Sequence, residues 1–166
     1  WGKVDVVVLS NWHFHAVLSS VRGSKLSASA KAAAWESGMR RTLSRMLAGV
    51  RQVVILRDSP DLPGSIAGAK ACFKRHGLAA QTRCGGPTSR TLKADVWTAE
   101  RRAAASFPGR VVAVDLTTPT CGGGWCGPID KPYLMFKDDN HWTQTYMRAH
   151  FSAPVDRAIS AAMNRA

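Results

Sequence analysis

Long apolar stretches are missing from this sequence. Its longest aliphatic runs, such as Val6 to Leu9 and Val53 to Leu56, fall far short of the ~20 residues that span a bilayer, so no transmembrane helix is predicted. Acidic residues are scarce too, 11 against 23 Lys plus Arg, and the resulting formal charge of +12 favours anionic partners or surroundings without choosing among them. Zinc-finger spacing and an aromatic RNA-binding signature are absent. A nucleic-acid partner would therefore rest on charge alone and is not expected. No internal repeat is present, and no basic segment followed by an apolar stretch precedes the first strand, so no targeting signal is read. The first residue is Trp1 rather than Met, and the start is read as the cut end of a larger protein. What remains, 166 residues of which 45% are hydrophobic, fits one compact domain over residues 1–166.

The short run Val4 to Leu9, rich in β-branched valine, predicts a strand buried on both faces, as in a parallel sheet. Apolar residues then recur at Trp35, Met39, Leu43, Met46, Leu47 and Val50, the spacing of a helix with one buried face, while Arg40, Arg41, Ser44 and Arg45 take the wet side. Val53 to Leu56 gives a second buried strand, completing a βαβ unit. From Asp58 to about Thr91 the chain reads as irregular, with Pro60, Pro63, Gly64 and Gly68. Thr91 to Phe107 is predicted as a helix stopped by Pro108 and Gly109, and Val111 to Val114 as a third strand. Closing helices are predicted at Thr143 to His150 and Pro154 to Met163. The expectation is an α/β sandwich with helices on both faces of a largely parallel sheet. Ligands in such sheets bind beyond the carboxyl ends of the strands, which directs attention to Asn11, Asp58, Ser59 and Asp115.

Four cysteines allow three pairings. Cys121 and Cys126 enclose Gly122, Gly123, Gly124 and Trp125, a composition that closes easily into a small loop, which leaves Cys72 for Cys84. Both pairs are read as lying in loops. Zinc would need tighter ligand knuckles than either spacing offers, so no metal is expected, and His13 and His15 are too few to form a centre. Paired cysteines favour an oxidising compartment.

The densest chemical signal is the late loop from Tyr133 to Thr143, which contains Asp138-x-x-His141. A carboxylate at this spacing can accept the imidazole Nδ1 proton and leave Nε2 to act as a general base. The alternative from the residues alone is that Asp138 or Asp139 caps the next helix and His141 packs beside Trp142.

Several blocks decide between these readings by resemblance. Asp5-Val-Val-Val-Leu-Ser-Asn-Trp12, Val53-Val-Ile-Leu-Arg-Asp-Ser-Pro60, Val112-Ala-Val-Asp-Leu-Thr117 with the cysteines that follow it, and Phe136-Lys-Asp-Asp-Asn-His-Trp-Thr143 together resemble the SGNH hydrolase domain fused to acyltransferase family 3 membrane proteins. The resemblance runs essentially end to end. It implies a three-layer α/β/α sandwich of SGNH/flavodoxin-like type, its first strand lying upstream. His141 would be the base and Asp138 its orienter. Asn11 would donate its side-chain amide to the oxyanion, although the Gly and Asp that flank the family's Asn are missing here and the alternative is a loop-holding role. Trp12 and Trp142 would wall a pocket or stack on a sugar, ordinary packing being the alternative.

The family's Gly-Asp-Ser nucleophile turn does not occur. Arg57-Asp58-Ser59 imitates it, but Ser59 is better explained as turn chemistry beside Pro60, and the nucleophile is expected upstream of Trp1. The implied activity is acyl transfer through an acyl-serine, with no cofactor. The implied donor is an acyl group delivered by a membrane acyltransferase domain and the acceptor an envelope polysaccharide. The domain would then be extracytoplasmic and tethered to an integral membrane domain. An esterase of the same fold and a non-catalytic envelope-binding domain are the alternatives.

Overall fold

A computed structural model of the chain describes residues 4–11, 13, 20–21, 24–62 and 68–164. They form an α/β fold in two compact units that interleave along the sequence. The first comprises Trp1–Arg57, Lys93–Val114 and Asp156–Ala166, and the second Asp58–Leu92 and Asp115–Val155. The longer elements are β1 (Val6–Ser10), α1 (Ala28–Leu47), β2 (Gln52–Leu56), α2 (Ala69–His76), α3 (Ala94–Ala105), β3 (Val111–Val114), α4 (Gln144–His150) and α5 (Ser152–Met163). No helix among the described residues is long and apolar enough to cross a membrane.

The first unit holds a parallel sheet of order β1-β2-β3. β2 is central, and its Val53, Val54 and Ile55 are fully buried. Side chains alternate across the pleat, so Val7 and Leu9 of β1, Val53 and Ile55 of β2, and Val111 and Ala113 of β3 share one face. Against that face pack Met39, Leu43 and Leu47 of α1 and Trp97, Ala103 and Ala104 of α3. Val54 belongs to the opposite face, so β2 is covered on both sides, as a parallel sheet requires. β1 differs from the expectation: Val8, aligned with Val54, is 44% exposed. Among the described residues β1 pairs only with β2, and an edge strand lacks the second flanking neighbour that buries a central one.

Capping fixes the ends of α1. Ser27 accepts the Ala30 N–H through its hydroxyl at 3.1 Å, and at the other end the Arg110 guanidinium donates to the carbonyls of Leu47 and Val50 at 2.9 and 2.8 Å. Arg40, Arg41 and Arg45 lie on its exposed side as predicted, and Arg40 pairs with Glu36 one turn away. The predicted helix at Thr91 begins at Ala94, because Leu92 is extended.

In the second unit the region read as irregular contains α2 and the single turns Ala80–Arg83 and Thr88–Thr91. Cys72 therefore lies on a helix and not in a loop. Sequence periodicity missed α2 because its buried stripe consists only of Ala69 and Cys72. The two disulfides are Cys72–Cys84 and Cys121–Cys126, the predicted pairs. The first ties α2 to the end of the Ala80–Arg83 turn. The second closes the glycine loop, where Gly123 and Gly124 take positive φ of 61° and 80°.

Candidate active site

Phe136 and Trp142 form an antiparallel bridge with their rings stacked at 4.4 Å, and between them runs the turn Lys137 to His141. The Lys137 N–H donates to the His141 carbonyl at 2.7 Å and closes it. Inside, the Asp138 carboxylate accepts the backbone N–H of Asn140 at 3.2 Å and of His141 at 2.8 Å, the local habit of aspartate at turns. The same carboxylate holds the imidazole, with His141 Nδ1 at 3.0 and 2.9 Å from its two oxygens. The His141 side chain is 74% exposed, so it is not packed into hydrocarbon.

Burial alone would raise the Asp138 carboxyl, but donation from the His141 and Asn140 backbone N–H groups, then from the His141 ring, together lower it below its ordinary value of 3.8. The group is thus an anion at any pH where an imidazole acts as a base. An Nδ1–H donated to that anion fixes the tautomer that leaves the Nε2 lone pair for a hydroxyl proton.

The turn is clamped from outside by its main-chain carbonyls. The Ala69 N–H at the start of α2 donates to Asp138 O at 3.0 Å, the Leu62 N–H to Asp139 O at 2.9 Å, and the Ser59 hydroxyl to Asn140 O. Gly68 makes the α2 contact feasible. It adopts φ 85° and ψ 152°, and a Cβ there would stand 3.4 Å from Asp138 Cα. An alanine in this backbone region is strained by about 1–3 kcal/mol. Gly68→Ala is therefore expected to lower the melting temperature and reduce turnover by disturbing the Asp138 turn. An unchanged melting curve contradicts this assignment.

The first unit contains a second polar assembly. Asn11, directly after β1, donates through Nδ2 to Glu100 Oε1 at 2.7 Å. His13 Nε2 lies 2.9 Å from Glu100 Oε2, and Trp35 Nε1 donates to Oε1 at 3.4 Å. Glu100, on α3, is fully buried and His13 is 4% exposed. His13 is thus bonded within the unit, while Trp12 and His15 lie outside the described residues.

A model of the SGNH domain (fused to AT3 domains) matches residues 2–151. The chain belongs to this family. No curated protein and no solved structure matches it. For an SGNH domain of this kind the family points to acyl-transfer or esterase-type chemistry and to fusion with a membrane acyltransferase domain.

The remaining predicted residues of the SGNH domain fall as follows. Ser59 uses its hydroxyl on Asn140 O and its N–H on Asp58 Oδ1 at 2.9 Å, which is turn chemistry. Asp115 Oδ1 accepts the Thr117 N–H and hydroxyl at 2.9 and 2.7 Å, capping the chain beyond β3. Asp139 is exposed. Trp142 sits in an aromatic cluster, stacked on Phe136 and edge-on to Phe151 at 4.8 Å. Cys72, His76 and Cys84 bring potential metal-ligand atoms within 4.8 Å of one another, but the two sulfurs are bonded to each other, leaving the imidazole as the donor in this oxidised state. Sequence reading missed Glu100 and the α2 contact to the turn.

Proposed function

We propose that this SGNH domain transfers an acyl group, acetyl in the first instance, from a donor delivered by the AT3 membrane domain to a hydroxyl of an envelope polysaccharide outside the cytoplasmic membrane. His141 is the general base, Asp138 its orienter, and Asn11 a side-chain donor to the acyl oxygen. The nucleophile is a serine N-terminal to Trp1. The observation that carries this reading is the exposed His141 ring held through Nδ1 on the lowered Asp138 carboxylate.

In the first half-reaction the serine oxygen bonds to the acyl carbon, the carbon's bond to the donor breaks, and the serine proton passes through His141 to the leaving group. In the second, His141 takes the proton of a sugar hydroxyl, whose oxygen bonds to the acyl carbon as the serine ester breaks and the serine recovers a proton. Water in place of the sugar would give an esterase. Incubating the intact protein with an isotopically labelled acetyl donor, with and without polysaccharide, tests the scheme. Mass spectrometry is expected to find labelled acetyl on a serine upstream of Trp1, discharged onto the polymer. Label on Ser59, or no acyl-serine at all, overturns it, and discharge to water alone makes the domain an esterase.

A further inference from the structure

A carboxylate at zero exposure is costly unless hydrogen-bond donors replace the water it loses. Glu100 meets that condition with groups contributed from far away in the sequence: the Asn11 amide, the His13 ring and the Trp35 indole. Two of the three come from the segment leaving the carboxyl end of β1, where a parallel α/β sheet presents its ligand-binding groups. The third comes from α1, so Glu100 joins the outgoing β1 segment to both helices that cover one face of the sheet. A carboxamide carries two N–H donors, and Glu100 takes one of Asn11's at 2.7 Å. Holding one N–H restricts rotation of the amide and so narrows the directions open to the other.

We infer that Glu100 is a positioning residue for the acyl-transfer reaction: it orients the Asn11 side chain so that the second amide N–H is presented to the acyl oxygen. This rests on the proposed donor role of Asn11 and adds to it the group that makes the donor rigid. His13 and Trp35 share the anchor and keep the carboxylate from rotating. Rigid aim matters because a donor contributes to catalysis chiefly when it needs no reorganisation as charge develops.

The test is a double-mutant cycle on the intact protein, reading kcat and KM separately, with melting curves establishing that each variant is folded at the assay temperature. Asn11→Ala is expected to lower kcat about 100-fold. Glu100→Leu, which removes both acceptor oxygens, is expected to lower kcat about 30-fold with little change in KM, since misaiming a group by about an ångström has effects of this order. In the Asn11→Ala background Glu100→Leu is expected to cost nothing further. Glu100→Gln keeps one oxygen for Asn11, while its NH2 can donate to His13 in the other tautomer, so it is expected to retain most of the activity. If Glu100→Leu does not fold, Glu100→Asp, which withdraws the oxygens by one methylene, carries the same cycle.

Losses that multiply, or a folded Glu100→Leu with unchanged kcat, overturn the positioning role while leaving Asn11 as a donor. Unchanged kcat in Asn11→Ala, with His141→Ala inactive, overturns the donor reading and the positioning role with it. An activity-independent check uses the side-chain amide resonances of Asn11 in the intact protein. One proton is expected downfield, hydrogen-bonded to the carboxylate, and shifted upfield in Glu100→Leu. Identical amide spectra count against the inference.

Discussion

Alanine at His141 is expected to reduce the kcat of the intact protein by about 1,000-fold or more, the scale of losing a positioned general base. KM is expected to change little, because the imidazole acts on a proton and not on substrate affinity. Asp138→Asn is expected to lose less, because it leaves a base that is misoriented and not removed. Asparagine keeps an oxygen for the Asn140 and His141 backbone N–H groups, so the turn survives, but its NH2 can face Nδ1 and favour the tautomer with the proton on Nε2. The base is then present in the wrong form. Since the ring is 74% exposed, imidazole added to His141→Ala is expected to recover part of the rate. Steady-state acetyl transfer by wild type and the two variants is the measurement. Equal kcat in all three removes the base assignment.

Replacing Cys72 and Cys84 together with serine is expected to cost about 3 kcal/mol, the chain-entropy value for a closed loop of this size. The residues are 12 apart, against 5 for Cys121 and Cys126, so the second bridge should contribute less. The effect should also reach the chemistry. α2 begins with Ala69, whose N–H holds the Asp138 carbonyl, and Cys72 fastens that helix to the segment after the Ala80–Arg83 turn. Denaturant midpoints of the two double-serine variants check the ranking, with kcat read alongside. An unchanged midpoint in the Cys72/Cys84 variant would refute it.

What could be read from the sequence follows from how local each cause is. Val111 to Val114 appears as a strand residue for residue because an unbroken apolar run rich in valine needs no partner to declare itself. Asp138 and His141 were legible for the same reason: three residues apart in one turn, they bond without help from the rest of the chain. Glu100 was not. In the sequence it is one charged residue in a helix, and its burial depends on Asn11, 89 positions away, and Trp35, 65 away. Ser59 was recognised as turn chemistry, but its hydroxyl reaches the carbonyl of Asn140, 81 positions on, and spacing does not encode such a contact. α2 escaped because alanine and cysteine make a buried stripe too faint to stand out among lysines and arginines.

The main-chain clamp on the His141 turn separates two things that a protein could otherwise alter only together. Asp139 enters that clamp through its carbonyl, while its carboxylate projects into solvent. Exchanging that side chain rewrites the chemistry met by an approaching molecule and leaves the imidazole where it was. A lineage of such domains can diversify at this rim without moving the His141 ring.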